Sequence, residues 1–159
     1  MSDRVTFDTF TLERTLNASP DRVFEVLSNP EKKKRWFCGP ASWKETARRV
    51  DFKVGGREHV AGEHAGNVTS IFDALYLDIV PNKRVVYTYE MTVNGRKISA
   101  SLATLEFFAE GTKTRFVLTE QGAFFADPDM QKYAPEGQAA SRLHGTKLLM
   151  DKIAQLFAA

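Results

Sequence analysis

The sequence predicts an α+β domain: a curved, seven-stranded antiparallel sheet wrapped around one long C-terminal helix, with two short helices after the first strand. Three observations carry this. From Ala139 to Ala158 an apolar stripe (Ala139, Leu143, Thr146, Met150, Ile153, Phe157) recurs at three- and four-residue steps. Leu149, Ala154 and Leu156 widen it, and Lys147, Asp151 and Gln155 mark the other side. Between Arg48 and Gln121, strand-like segments follow one another, mostly across tight-turn signals. Two proline-led helix starts separate the first strand from the rest. So broad a helical face needs a partner of similar breadth, which the sheet provides. Its residues fill a core or, in part, line a pocket.

Arg4 to Leu16 alternates, with Val5, Phe7, Thr9 and Thr11 set among charged residues, and reads as the opening strand. Ser19-Pro20-Asp21 places a cap, a proline and an acid where a helix begins, and Val23, Phe24 and Leu27 give that helix an apolar side. Asn29-Pro30-Glu31 repeats the signal and predicts a second short helix to about Arg35. Its basic run, Lys32 to Arg35, reads as a solvated face. Trp36, Phe37 and Trp43 then crowd an irregular segment, either anchoring the helices on the sheet or forming a pocket lip.

The remaining strands are expected at Arg48 to Val54, Arg57 to Glu63, Val68 to Val80, Lys83 to Val93, Lys97 to Phe108 and Thr112 to Gln121. Val50, Phe52 and Val54 share a face of the first, and Gly55-Gly56 turns the chain. Alternation sends Glu58 and Val60 one way and Arg57 and His59 the other. It likewise groups Tyr87, Tyr89 and Met91, and Phe116, Leu118 and Glu120. Asn94-Gly95 is the strongest hairpin signal. Gly122 to Gly137 reads as a linker whose Phe124, Phe125 and Tyr133 form a mobile lid or a homodimer patch.

Composition bounds the function. A chain of 159 residues corresponds to one domain, 1–159. Twenty-two basic residues against 20 acidic, net +2, argue against a dedicated nucleic-acid surface. The opening MSDRVTFDTF lacks the apolar run of a signal peptide, and no stretch approaches the ~20 apolar residues of a membrane span. The single cysteine, Cys38, excludes an internal disulfide, fits a cytoplasmic protein, and by default is a buried free thiol. Twelve Phe, four Tyr and two Trp are many for this length, and they fill a large core or line a cavity.

Four stretches carry a family resemblance: Ala18-Ser19-Pro20 leading to Val23-Phe24; Trp36-Phe37; Asp51 to Arg57; and Asp78 to Tyr87. In these, and in the order of its elements, the chain resembles the SRPBCC superfamily, also called START-like or helix-grip, which includes the birch-pollen allergen. Within it the chain is most similar to the branch related to the C-terminal domain of the activator of heat-shock-protein ATPase. A bacterial subgroup is similar at Gly55-Gly56-Arg57-Glu58-His59 and Thr119 to Phe124. Relatives more often carry an aromatic where Glu58 sits. The resemblance implies a cavity between sheet and helix for an apolar or amphipathic small molecule, in a family of binding proteins, aromatase/cyclases and chaperone partners. The activator itself carries an additional N-terminal domain, for which this chain has no room, so co-chaperone activity is not expected.

The pocket wall is expected to draw on Trp36, Phe37, Trp43, Glu58, Val60, Tyr76, Tyr87, Tyr89, Met91, Phe116, Leu118, Glu120, Phe124 and Met150. Glu58 and Glu120 are the candidate catalytic acids. Facing inward among apolar residues, their carboxyls would titrate high enough for general acid–base work. Alternatively each pairs with an arginine (Arg57, Arg96 and Arg115 are available) or sits at a wet rim. His59 either acts beside Glu58 or is an ordinary hydrogen-bonded histidine. The tyrosines either hold an aromatic ligand or pack the sheet. His59, His64 and His144 lack metal-ligand spacing, and no metal or cofactor is expected. Three functions compete: a carrier of a hydrophobic or aromatic small molecule; a polyketide cyclase- or hydrolase-like enzyme using Glu58 or Glu120; and an interaction module resembling the chaperone activator.

Overall fold

The computed structural model describes residues 4–158. Residues 1–3, part of the N-terminal stretch expected to hold no signal peptide, and residue 159 lie outside the described residues. In chain order the elements are β1 (Thr6–Leu16), α1 (Pro20–Ser28), α2 (Pro30–Lys33), β2 (Lys44–Val50), β3 (Arg57–His64), β4 (Val68–Val80) and β5 (Arg84–Val93). They continue with β6 (Arg96–Glu110), β7 (Lys113–Phe124), α3 (Met130–Tyr133) and α4 (Gln138–Leu156). The seven strands form one antiparallel sheet in the order β1-β7-β6-β5-β4-β3-β2. β2 to β7 are a meander, and β1 closes it by pairing with β7. The segment holding α1 and α2 therefore crosses from one sheet edge to the other. Among the described residues, no helix is long and apolar enough to cross a membrane.

Local chemistry accounts for the boundaries. Asn29 caps α2, its side chain accepting from the backbone N–H groups of Glu31 and Lys32 at 3.0 and 3.2 Å. Asn94 and Gly95 both take positive φ, 49° and 77°, as the tight β5–β6 hairpin requires. A register shift between Tyr76 and Asp78 marks a bulge in β4.

Two sequence expectations are corrected. The strand placed at Arg48 to Val54 lies at Lys44–Val50. Beyond it the chain folds back tightly: the Gly56 N–H bonds the Lys53 carbonyl, and a Cβ on Gly56 would lie 2.1 Å from the Asp51 carbonyl oxygen. Phe52 still turns inward, against Phe24 and Tyr76, whereas Val54 is exposed. The apparent alternation was a loop. At the other end the linker begins later than Gly122, because β7 runs to Phe124, paired with Thr6 on one side and Ser99 on the other. Tyr133 lies in the short α3 and is exposed.

The main core joins α1 and α4 to the sheet through Leu16, Val23, Leu27, Trp36, Phe116, Met150, Ile153 and Phe157. A second cluster, Val60, Phe72, Ala74, Tyr89 and Ala103, sits on β3 to β6. The apolar face of α4 is narrower than its sequence stripe. Thr146, Met150 and Ile153 are buried, while Leu148 and Leu156 are exposed. Its principal sheet contacts are with β1 and β7. The helix thus lies toward one side of the sheet, and the inner face of β3 to β5 keeps open space in front of it.

Ile153 is 2% exposed. Ile153→Asp buries an unpaired charge and lowers stability by about 3–5 kcal/mol, read as a fall in the urea midpoint at unchanged slope.

Candidate functional site

The space between α4 and the sheet is a cavity of about 1060 Å³. Of the residues the sequence assigns to a pocket, Trp36, Phe37, Trp43, Val60, Tyr76, Tyr87, Tyr89, Met91, Phe116, Leu118, Glu120 and Met150 lie on its wall. Glu58 and Phe124 do not. Glu58 sits behind Lys33 and Tyr76, which hold it and themselves line the wall, and Phe124 is covered by the Arg142 guanidinium, 5.2 Å from its ring centre.

Strand alternation supplies most of the wall. The rings of Tyr76, Tyr87 and Tyr89 stand in a row across β4 and β5, with centres 5.8 and 5.9 Å apart. Phe72 packs against Phe37 and Tyr89 at 4.8 and 4.9 Å. Trp36 is fixed by its indole N–H, which donates to the Val26 carbonyl at 2.8 Å. Trp43 lies against bare backbone. A Cβ on Gly62 would fall 2.0 Å from its ring, and one on Gly39 2.5 Å away.

A buried ion pair and a partly buried one accompany this apolar wall. Lys33 Nζ donates to Glu58 Oε1 at 2.6 Å, and the Tyr76 hydroxyl donates to the same oxygen. Lys33 also lies 4.7 Å from the Phe37 ring centre. Burial pulls its ammonium below the usual lysine range, against the opposing pull of Glu58. In the second pair, Arg142 Nη1 lies 3.3 Å from Glu120 Oε2. The Tyr89 hydroxyl donates to Glu120 Oε1 at 2.6 Å, and Ser101 Oγ to Oε2 at 3.1 Å. Burial is the first cause raising the pKa of Tyr76, Tyr87 and Tyr89, so all three hydroxyls stay protonated near neutral pH.

These pairs revise the sequence reading. Lys33, read as part of a solvated basic face, is 6% exposed, because a one-turn helix pressed to the sheet turns this residue inward. Lys34 and Arg35 are exposed, and Lys32 pairs with Glu25 at the surface. The carboxylates are not held by the arginines considered for them. Arg57 is exposed, Arg96 holds Asp127 and Asp129, and Arg115 holds Glu13 and Glu110. Arg142 carried a readable signal: it lies four residues before Thr146 and eight before Met150, a charge on the inward stripe. Lys33 carried none. His59 does not join Glu58. Its Nδ1 is 2.6 Å from Asp73 Oδ1, on the opposite sheet face. Cys38 is half-buried on the cavity wall, where Lys152 Nζ donates to its carbonyl at 3.2 Å. Among the described residues, no group of three or more His, Cys, Asp or Glu is placed to hold a metal.

A long helix laid on a curved antiparallel sheet, with two short helices after the first strand and a cavity between, defines the helix-grip class. The chain belongs to the family described as Activator of Hsp90 ATPase homolog 1-like protein, whose model matches residues 17–158. A protein of known structure from Rhizobium leguminosarum is 34% identical, with TM-score 0.87 over 97% of this chain and 96% of its own. The Mll3558 protein from Rhizobium loti is 36% identical, with TM-score 0.84 over 96% and 98%. An AHSA1-like protein from Aeromonas hydrophila, 16% identical with TM-score 0.65 over 93% and 90%, shares the fold. No match is found among curated proteins.

Two measurements test the site. Lys33→Ala leaves the Glu58 carboxylate buried and unpaired, costing about 3–5 kcal/mol in urea unfolding, whereas the double variant Lys33→Met/Glu58→Leu recovers most of that loss. Gly62→Val drives its side chain into the Trp43 ring, so the tryptophan emission shifts to the red as that ring swings into water.

Proposed function

We propose that this protein binds a hydrophobic or aromatic small molecule between its sheet and α4. The observation that carries the reading is the cavity itself. At about 1060 Å³ it has the size of small-molecule sites, and its wall is mainly apolar and aromatic with a few fixed polar groups. Aromatic rings that stand in a row over open space offer a flat ligand broad contact at low entropic cost. The lone cysteine, without a disulfide partner, supports a reducing, cytoplasmic setting.

A cyclase-like enzyme would need one of the buried carboxylates as a free acid or base. Glu58 and Glu120 are each held by a cation and a tyrosine, which favours binding over catalysis. A role in activating a chaperone ATPase rests on the family's description alone.

Native mass spectrometry of freshly purified protein is the direct test. The expected result is a fraction carrying an added small-molecule mass that is lost on gentle activation. The same spectrum reads the oligomeric state. Trp36 and Trp43 both line the cavity, so an aromatic ligand should also quench tryptophan emission saturably. A bare mass, together with no quenching by any aromatic probe, would count against the reading.

A further inference from the structure

We infer that the depth of the cavity selects an uncharged aromatic molecule bearing one hydrogen-bonding group, which Tyr87 addresses, and that Glu120 enforces this neutrality by occupying Arg142. The inference rests on the binding function proposed above and specifies its ligand.

The cations deep in the cavity are matched from within. Lys33 is taken by Glu58 at 2.6 Å. The terminal nitrogens of Arg142 face Glu120 Oε2 at 3.3 Å, the Tyr89 hydroxyl at 2.9 Å, Ser99 Oγ at 2.7 Å and Ser101 Oγ at 3.5 Å. A ligand carboxylate brought to Arg142 would have to share it with Glu120, setting two like charges side by side where little water reaches. Glu120 holds the place that an anionic ligand would otherwise claim.

Tyr87 is the member of the tyrosine row left for a ligand. Tyr76 spends its hydroxyl on Glu58, and Tyr89 spends its own on Glu120. The Tyr87 ring stands between theirs and lines the cavity, and its hydroxyl makes no hydrogen bond to protein among the described residues. Burial keeps that hydroxyl protonated, so it is a ready donor to a neutral acceptor. A donor with no protein partner in an apolar cavity gains most from a ligand that completes it.

Lys152 is the cation in the lining without a carboxylate partner among the described residues. It shares a helix face with Leu148 and Gln155, which are exposed wall residues, and its amine rests on the Cys38 carbonyl. Its charge therefore stands at the rim. A charged tail can stay there while the buried part of the ligand is neutral.

Calorimetric titration at pH 7 with naphthalene, 2-naphthol and 2-naphthoate tests this in Lys152→Met protein, where no rim cation can hold a carboxylate. The expected order is naphthol tightest, with naphthoate weaker by about tenfold or more. Tyr87→Phe lowers naphthol affinity about fivefold and leaves naphthalene unchanged. Glu120→Gln, which frees Arg142, raises naphthoate affinity about tenfold or more. Naphthoate binding as tightly as naphthol, or naphthol affinity unmoved by Tyr87→Phe, overturns the inference even if Glu120→Gln fails to fold. If naphthalene binds without this pattern, only the polarity inference falls. If none of the three binds, the binding function falls with it.

Discussion

The buried amine of Lys33 is the constraint on which the site depends. α2 is a single helical turn, too short to be stable on its own. Its start is fixed by the Asn29 cap and Pro30, and its end by driving an ammonium under the surface to Glu58 and Tyr76. Taking that charge out of water is costly, and it is tolerated because a carboxylate, a hydroxyl and an aromatic face surround it. Once Lys33 is placed, the chain that follows has little choice. Trp36 bonds back to α1, Phe37 meets Phe72, and both rings become cavity wall.

The open space has its origin in α4. Because the helix buries a narrow face, Thr146, Met150 and Ile153, and rests mainly against β1 and β7, it does not fill the hollow in front of β3 to β5. Arg142 extends that inward face toward the helix N-terminus and meets Glu120 across the gap. The ion pair links helix and sheet beyond the buried stretch of Thr146, Met150 and Ile153. The same contact joins α4 to β7 and leaves Arg142 matched by a carboxylate within the cavity wall.

Local periodicity made much of this legible. Alternation placed Val60, then Tyr87, Tyr89 and Met91, then Phe116, Leu118 and Glu120 on inward faces, because a period of two leaves no other choice once one face is buried. It misled at Val50, Phe52 and Val54, where alternation continued into a turn held by Gly56. It also ended β7 too soon at Gln121, since the pairing of Phe124 with Thr6 and Ser99 is set by distant strands. The polar half of the site was least legible. Lys33 finds Glu58 25 positions away, and Arg142 finds Glu120 22 positions away, separations at which no local pattern pairs residues. A basic run looks solvated until the sheet that buries one member of it is in place.

The sheet order has a consequence for how the chain is made. Of the seven strands β1 is translated before the others but pairs only with β7, the last of them to appear. While the chain grows, β2 to β6 can join neighbour to neighbour through short hairpins, but β1 has nothing to pair with. The α1–α2 segment must hold its place across the forming meander until residues near 113–124 emerge. Synthesis therefore leaves the closing step, and with it the enclosure of the cavity by α4, until β7 and α4 have emerged. The β1–β7 pairing joins residues more than 90 positions apart, so it carries the largest loop-closure cost of any strand pair in the sheet.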